Sequence, residues 1–423
     1  MLATAAPRSL QQWLDWQLAQ HPNEIQLGLE RVRAVAERLQ LPGRRPLTIT
    51  VAGTNGKGST AKLLAEYLRA AGKRAGLYTS PHLLAYNERV VVDGEAANDE
   101  VLCEAFARIR AAQADTPLTY FEYGTLAALL IFSQRQVEVQ VLEVGLGGRL
   151  DACNIVDADC AVITSIGMDH QAWLGDSLAA IAAEKAGIMR AGKPVVSAAD
   201  NVQSEITALA AKAGAHLLHS GGDYRHELGA QQWSWHCGGK HIEALPIPLA
   251  CGEHQVSNAA AALTALWALR ERLPFDETAF RQALRVSALP GRAQRQGRYC
   301  YDVSHNPQAA SALLKTLKSS PGRGRRLAVL GMLADKDVAG YVSTLAPALD
   351  QLFLAGLAPD TQRAQSAVQL AERVGSVFDG PVSCHADVAS ALCVAEAAAG
   401  ADDEILVCGS FHTVAEAMEH RHG

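Results

Sequence analysis

The sequence has few charged and aromatic residues and no long apolar run. Of its 423 residues, 19% are charged and 5% are aromatic, while 49% are hydrophobic. No stretch reaches the roughly 18 apolar residues of a membrane span. The net charge of −6 gives no basic surface of the kind that binds nucleic acid. We therefore expect a globular protein with neither a membrane nor a nucleic-acid partner, long enough for two domains.

The cysteines show no pattern of a metal site or a disulfide framework. None of the nine lies in a C-x-x-C pair, so we expect free thiols in a reducing compartment. Residues 9–20 contain Asp15 and lack the unbroken apolar core of a signal peptide. The predicted location is the cytoplasm.

A glycine-rich loop stands between an apolar strand and an amphipathic helix. The strand, 47–51, is followed by Gly53-Thr54-Asn55-Gly56-Lys57-Gly58-Ser59-Thr60, and apolar residues then recur at helical spacing. Glycines let backbone N–H groups converge on an anion, and the helix N-terminus adds partial positive charge. The spacing departs from G-x-x-x-x-G-K-[ST]. We nevertheless predict a nucleotide loop formed by Thr54, Asn55, Gly56, Lys57, Gly58 and Ser59, with the hydroxyl of Ser59 or Thr60 near Mg²⁺.

Strands alternating with helices predict an α/β fold with a mostly parallel sheet of the P-loop type. Residues 219–245 interrupt this pattern and read as a β-hairpin insertion, and a Pro-Gly turn at 289–292 indicates a domain boundary. From Tyr299 a second series predicts a smaller Rossmann-like parallel sheet. We thus expect an ATP-binding domain over 1–290 and a C-terminal domain over 291–423.

Several polar residues follow predicted strands, where α/β sheets build their sites. Glu143 ends an apolar strand, and Mg²⁺ ligation is its better interpretation because a phosphate loop lies nearby. Other residues have simpler interpretations: Ser80 as an ordinary turn, His170 as a structural histidine, Asn258 as a helix N-cap and Lys185 as a solvated helix lysine.

Eight further motifs accompany the loop. They are YTSPH (78–82), LTYFEYG (118–124), LEVGLGGRLDACN (142–154), TSIGMDH (164–170), EKAGI (184–188), LPGR (289–292), DVSHNP (302–307) and GSFHT (409–413). Together they resemble the bifunctional dihydrofolate synthase/folylpolyglutamate synthase family of bacteria, within the Mur ligase superfamily. The resemblance runs from LGLER (27–31) to GSFHT in the same order and spacing.

The resemblance implies a set of site residues for ATP and metal. Ser80 is a magnesium ligand, and Glu143 and His170 hold a second Mg²⁺. Lys185 is carboxylated by CO₂, and K⁺ is a possible further cofactor. Asn258, Arg292 and Asp302 contact the nucleotide, and His305 lies near the incoming glutamate. Lys57, Lys185 and His305 are therefore the catalytic candidates.

The resemblance also implies a pterin pocket. Its residues are Thr119, Tyr120, Phe121, Glu122, Leu150, Asp151 and Ala152. Aromatic rings can cover a flat pterin, and carboxylates accept hydrogen bonds from its N–H groups. The simpler interpretations are core packing for Phe121 and a solvated loop for Asp151. Cys153, where relatives often carry threonine, is a mild departure.

The implied reaction is ATP-driven amide ligation by a monomer. A substrate carboxylate takes the γ-phosphoryl group of ATP, and L-glutamate then displaces phosphate. The acceptors are dihydropteroate and reduced folates. A monofunctional folylpolyglutamate synthase would share most motifs. A muropeptide ligase is disfavoured because only about 46 residues precede the loop strand. A nucleotide-binding module without catalysis remains an alternative.

Overall fold

The computed structural model describes residues 7–21, 26–41, 45–249, 252–319, 322, 324–357 and 363–422. They divide into two compact units. The first comprises the described residues up to Ile166 together with Leu174–Ile247 and Asn258–Ser287. The second comprises Gly167–Trp173, Pro248–Ser257 and the described residues from Ala288 onward.

The N-terminal two-thirds of the chain contains an eight-stranded sheet and a three-stranded sheet. Its strands are β1 (Leu47–Ala52), β2 (Ala75–Tyr78), β3 (Val90–Val92), β4 (Glu95–Ala96), β5 (Val139–Glu143), β6 (Cys160–Ile163), β7 (Pro194–Ser197), β8 (His216–His219), β9 (Tyr224–Leu228), β10 (Gln232–Cys237) and β11 (Lys240–Pro246). Its helices are α1 (Leu10–Gln20), α2 (Glu30–Arg38), α3 (Lys57–Ala70), α4 (Asp99–Gln113), α5 (Tyr120–Gln134), α6 (Gln171–Leu174), α7 (Leu178–Ala186), α8 (Gln203–Ala213), α9 (Glu253–Ala268) and α10 (Glu277–Val286).

The large sheet has the order β4-β3-β2-β5-β1-β6-β7-β8. Its central strands pair in parallel, whereas β3 pairs antiparallel with both β2 and β4. Every residue of β5 is buried, as expected for a strand covered on both faces. Because β1 lies between β5 and β6, the carboxyl ends of these three strands meet at one edge.

Residues 224–246 form a three-stranded antiparallel sheet rather than the predicted hairpin. Trp233 and Trp235 of β10 are buried on one face, and polar residues alternate with them on the other. The indole of Trp235 donates to the hydroxyl of Thr264 at 2.9 Å. The third strand was missed because β9 carries mostly polar residues.

The second unit contains a six-stranded sheet of order β12-β13-β17-β14-β15-β16. Its strands are β12 (Gln294–Gln296), β13 (Tyr299–Asp302), β14 (Arg326–Leu330), β15 (Gln351–Ala355), β16 (Val382–His385) and β17 (Glu404–Cys408), and its helices are α11 (Pro307–Ser319), α12 (Val338–Leu345), α13 (Ala367–Val374), α14 (Val388–Ala398) and α15 (Phe411–His422). The sheet is parallel except at the β12 edge. The predicted fold class is confirmed.

The structure also bears on the expectations about cysteines and membrane spans. The eight cysteines in the described part of the chain are free thiols. No helix in that part combines the length and apolar character that crossing a bilayer requires.

Candidate functional site

The glycine loop follows β1 directly and ends at the start of α3. Gly53 has a φ of +155° and Gly56 a φ of +86°, a region that residues with a Cβ rarely adopt. Gly56 is the N-cap of α3, so the first N–H groups of the helix point toward the loop. Ser59 is half-buried, whereas Thr60 is fully buried, which leaves Ser59 as the hydroxyl that can reach a bound ion. The geometry is that of an anion site.

Two lysines converge on one carbonyl oxygen of this loop. The Nζ of Lys57 lies 3.1 Å from the carbonyl oxygen of Gly53 and 3.2 Å from that of Thr54. The Nζ of Lys185, from α7, lies 2.9 Å from the same Gly53 oxygen. Lys185 is 4% exposed, so its interpretation as a solvated helix lysine is wrong. Two ammonium groups this close repel each other, and a phosphate group would relieve that repulsion.

The segment after β6 fixes the path of the loop. Thr54 N donates to the carbonyl of Ser165 at 2.7 Å, and Asn55 N donates to the Ser165 hydroxyl at 3.0 Å. The hydroxyl of Thr164 in turn donates to the Asn55 carbonyl at 2.7 Å. The TSIGMDH motif therefore supports the loop as well as carrying His170.

Asn258 lies against the loop, as a nucleotide-binding residue should. A Cβ built on Gly56 would stand 2.4 Å from the side-chain oxygen of Asn258. The alternative N-cap interpretation of Asn258 is wrong, because α9 begins at Glu253 and Asn258 lies within it. The helix starts earlier than predicted because 253–257 contain residues that tolerate helical geometry.

Ser80 and Glu143 meet at the ends of adjacent strands. The backbone N–H of Ser80, after β2, donates to the carboxylate of Glu143 at 3.1 Å. Glu143 is the last residue of β5, as predicted, and is 5% exposed. A serine hydroxyl beside a buried carboxylate is a donor set that suits Mg²⁺, whereas imidazole is a poorer partner for this ion. Ser80 and Glu143 therefore fit a magnesium ion better than His170 does.

The predicted pterin residues 119–122 build the start of α5. Thr119 is its N-cap, and Thr119 and Glu122 form a capping box in which Thr119 N donates to the Glu122 carboxylate at 2.7 Å. The ring of Phe121 packs 5.9 Å from that of Tyr78. The ring of Tyr120 lies 5.7 Å from that of Tyr86. These residues are thus partly structural.

Asp151 is buried, so its interpretation as a solvated loop residue is wrong. Its side chain is 3% exposed and accepts hydrogen bonds from the N–H groups of Leu146 at 2.9 Å and Cys153 at 3.0 Å. Burial raises the pKa of Asp151 to about 6, although these N–H groups oppose the shift. Leu150 and Ala152 flank it, and Ala152 is also buried.

The raised pKa predicts a pH-dependent stability. Because the folded carboxyl binds its proton more tightly than the unfolded one, stability should fall as pH rises between about 4 and 6. The change for this group should be about 2–3 kcal/mol. Asparagine at position 151 cannot ionise, so the Asp151→Asn variant lacks this loss. The melting temperature of the variant should therefore rise relative to that of the wild type as the pH increases over this range. A constant difference between the two melting temperatures would contradict the assignment.

The roles of Arg31 and Gly28 were not predicted from the sequence. Arg31, which is partly buried, forms an ion pair with the buried Glu122 at 3.0 Å. Gly28 N donates to the Leu150 carbonyl at 3.3 Å. Gly28, just before α2, and Arg31, in the first turn of α2, therefore connect the two groups of predicted pterin residues. The only signal in the sequence was the LGLER motif itself, which does not indicate which residues Gly28 and Arg31 contact.

In the second unit, Asp302 is hydrogen-bonded to Ala293, the residue that follows Arg292. The Asp302 carboxylate accepts from Ala293 N at 2.8 Å and from Ser304 N at 2.9 Å, which fixes it at the end of β13. The guanidinium of Arg292 stands 5.2 Å from the ring centre of Phe411, a residue of the GSFHT motif. Phe411 was not predicted as a site residue.

Asp169 is the centre of a polar cluster in the second unit. Its carboxylate accepts from Lys336 Nζ at 2.6 Å and from Asn306 Nδ2 at 3.1 Å, and it lies 3.5 Å from Nε2 of His305. Burial opposes ionisation, but His305, His170 and Lys336 together hold the pKa of Asp169 well below its ordinary value. Burial lowers the pKa of His170 to about 4, so its imidazole is neutral near pH 7.

Comparisons with known proteins identify the family. The model of the Mur ligase middle domain matches residues 51–266, and that of the Mur ligase glutamate ligase domain matches residues 290–411. A dihydrofolate synthase/folylpolyglutamate synthase of Escherichia coli is 44% identical over 419 residues, covering 98% of this chain and 96% of that protein. The chain belongs to this family. A Haemophilus influenzae relative with the same description is 41% identical, covering 97% of both chains.

Solved structures of the family have the same fold. E. coli FolC in complex with DHPP and ADP superposes with a TM-score of 0.93 at 43% identity, covering 99% of both chains. A bifunctional folylpolyglutamate synthase/dihydrofolate synthase with Mn, AMPPNP and L-glutamate bound has a TM-score of 0.90 at 42% identity and covers 99% of this chain and 100% of that one. The predicted family and fold are confirmed.

Proposed function

We propose that this chain is an ATP-dependent ligase that joins L-glutamate to dihydropteroate, forming dihydrofolate, and to reduced folylpolyglutamates. The observation that carries the proposal is the loop at which Lys57 and Lys185 converge on the Gly53 carbonyl. It occurs in a chain that matches a dihydrofolate synthase/folylpolyglutamate synthase over nearly its whole length. Relatives with ADP, or with AMPPNP, Mn and L-glutamate, bound support ATP and a divalent metal as co-substrate and cofactor.

The reaction has two steps. An oxygen of the acceptor carboxylate attacks the γ-phosphorus of ATP, and the bond from that phosphorus to the β-γ bridging oxygen breaks. The products of this step are an acyl phosphate and ADP, which leaves with the bridging oxygen. The α-amine of L-glutamate then attacks the acyl carbon, phosphate leaves with its electron pair, and the nitrogen loses a proton. Phosphoryl transfer depends mainly on positioning and on neutralising charge. Lys57 supplies that charge at the loop, and we propose the same role for Arg292.

We assign the remaining site residues by the same reasoning. The nucleotide is bound by Thr54, Asn55, Gly56, Lys57, Gly58, Ser59, Asn258, Arg292 and Asp302. Magnesium is held by Ser80, Glu143 and His170, and supplies Lewis-acid polarisation of phosphate oxygens when bound. The pterin is bound by Thr119, Tyr120, Phe121, Glu122, Leu150, Asp151 and Ala152. His305 acts near the incoming glutamate.

Carboxylation of Lys185 is part of the proposal. A neutral amine attacks CO₂, a bond forms between nitrogen and carbon, and the nitrogen loses a proton to leave a carbamate anion. The position of Lys185 supports this step, because the residue is buried and its Nζ lies 2.9 Å from the Gly53 carbonyl oxygen, which Lys57 also contacts. A carbamate would also remove the repulsion between the two lysines.

Other predictions from the sequence stay proposals. They are an ATP-binding domain over 1–290 with the pterin pocket, a glutamate-ligase domain over 291–423, a K⁺ requirement, a monomeric state and a cytoplasmic location. The two family models, which end and begin near residues 266 and 290, support the division into domains.

The decisive experiment measures phosphate release from ATP with Mg²⁺ and L-glutamate in the presence of dihydropteroate, tetrahydrofolate or a muropeptide precursor. Mass spectrometry then tests for one added glutamate. We expect turnover with both pterin acceptors. Turnover with tetrahydrofolate alone would reduce the function to a folylpolyglutamate synthase. Turnover only with the muropeptide would refute the folate assignment, and no turnover with any acceptor would favour a binding module.

A further inference from the structure

Lys336 is a buried cation outside the predicted site residues. It lies in the loop between β14 and α12, and its side chain is 6% exposed. A buried ammonium group needs a partner, and Lys336 has one in Asp169, 2.6 Å from its Nζ. The two residues are 167 positions apart in sequence. Asp169 immediately precedes His170, the proposed magnesium ligand in this unit.

The loop that carries Lys336 is itself well anchored. Arg373 of α13 donates to the carbonyl oxygens of Ala334, at 2.8 Å, and of Lys336. Gln365 Nε2 donates to the Met332 carbonyl at 2.8 Å. The ammonium group of Lys336 therefore extends from a fixed backbone and can hold the carboxylate of Asp169 in place.

The segment 167–173, in contrast to the loop that carries Lys336, has little anchoring from its own apolar side chains. Met168 is 38% exposed and Trp173 is 46% exposed, so its apolar side chains contribute little anchoring. Asp169 is instead tied by Lys336, by Asn306 Nδ2 at 3.1 Å and by the His170 N–H at 2.9 Å. His170 has a φ of +51°, a left-handed conformation that is strained for a residue with a Cβ and that persists only when its surroundings impose it.

We propose that Lys336 is a positioning residue: through Asp169 it holds the 167–173 segment in the conformation that presents His170. The Lys336 Nζ also lies 3.5 Å from Nε2 of His170, so it restrains the ring as well as the backbone. Outer partners of this kind orient metal ligands. The positioning role follows from contacts within the second unit, and its consequence for metal binding rests on the proposed function.

The test compares Lys336→Met and Lys336→Arg with the wild type in the absence of ligands. Hydrogen exchange followed by mass spectrometry should show amides of 167–173 exchanging at least about tenfold faster in Lys336→Met, with Lys336→Arg closer to the wild type. Arg326→Met is the matched control. It removes a partly buried ion pair with Glu404, at 2.5 Å, from the other end of β14, and should leave the exchange of this segment unchanged.

A second readout measures the affinity for Mn²⁺ in the presence of a non-hydrolysable ATP analogue. Lys336→Met should weaken it by about 10–100-fold, and Arg326→Met by less than about twofold. Unchanged exchange and unchanged affinity in Lys336→Met would overturn the proposal. If Lys336→Met does not fold, Asp169→Asn takes its place in both assays, with the same expected changes in exchange and in Mn²⁺ affinity. Faster exchange in a protein that turns over no folate would retain the positioning role and refute the proposed function.

Discussion

Replacing Lys57 with methionine should lower kcat for glutamate addition by about 10²–10³-fold. Methionine nearly preserves the length of the side chain but removes the ammonium group, which lies 3.1 Å from the Gly53 carbonyl at the predicted phosphate site. Lys57 is the only charged residue among residues 53–60, so no other single substitution in the loop removes a positive charge. Steady-state kinetics with dihydropteroate as acceptor and varied ATP would measure kcat and KM separately.

Lys62→Met is the matched control for this prediction. Lys62 lies on the same helix, α3, and forms an ion pair with Glu66 at 2.8 Å. Pairs of this i,i+4 type are worth only about 0.3–0.5 kcal/mol, so the control should keep its activity. Equal losses in the two variants would show that α3 simply tolerates no change of lysine. An unchanged kcat in Lys57→Met would remove the loop from the mechanism.

The local features of the site could be predicted from the sequence. The strand before the loop was predicted over 47–51 and is Leu47–Ala52, and Glu143 ends β5 as expected. Both predictions depend on residues adjacent in sequence: β-branched apolar runs, glycines and a helical period. The α/β class followed from the same alternation. Boundaries were less accurate, since α9 begins at Glu253 and not at Asn258.

Features that depend on distant partners could not be predicted. Lys185 looks like a surface lysine in sequence, and only the contact with Gly53, 132 positions away, shows why it is buried. The pair between Lys336 and Asp169 spans still more of the chain. Neither periodicity nor spacing carries information about such pairs, because their members are far apart in sequence and meet only in the folded chain.

One missed feature did have a local signal. Thr119 and Glu122 have the T-x-x-E spacing of a capping box, which the structure contains. The resemblance to the family instead indicated that both are pterin ligands. In the structure Glu122 also binds Arg31, so its two carboxylate oxygens are already engaged by the protein. A pterin would then reach Glu122 only by sharing or replacing these bonds.

Gly56→Ala should weaken the binding of an ATP analogue by about 100-fold, as measured by calorimetry. Gly56 has a φ of +86°, which costs a residue with a Cβ about 1–2 kcal/mol. The added Cβ would also stand 2.4 Å from the Asn258 side-chain oxygen. Because that distance is too short for any real contact, Asn258 would have to move away from the loop.

Gly72→Ala separates the two effects. Gly72 follows the other end of α3, has a φ of +72° and has no atom within 4 Å of where a Cβ would stand. It should therefore lose stability like Gly56→Ala, by about 1–2 kcal/mol, and bind the nucleotide like the wild type. If both variants bind the analogue equally well, the contact between Gly56 and Asn258 has no part in nucleotide binding. If only Gly56→Ala weakens it, the loss arises at the loop and its contact with Asn258, and not from a general loss of stability.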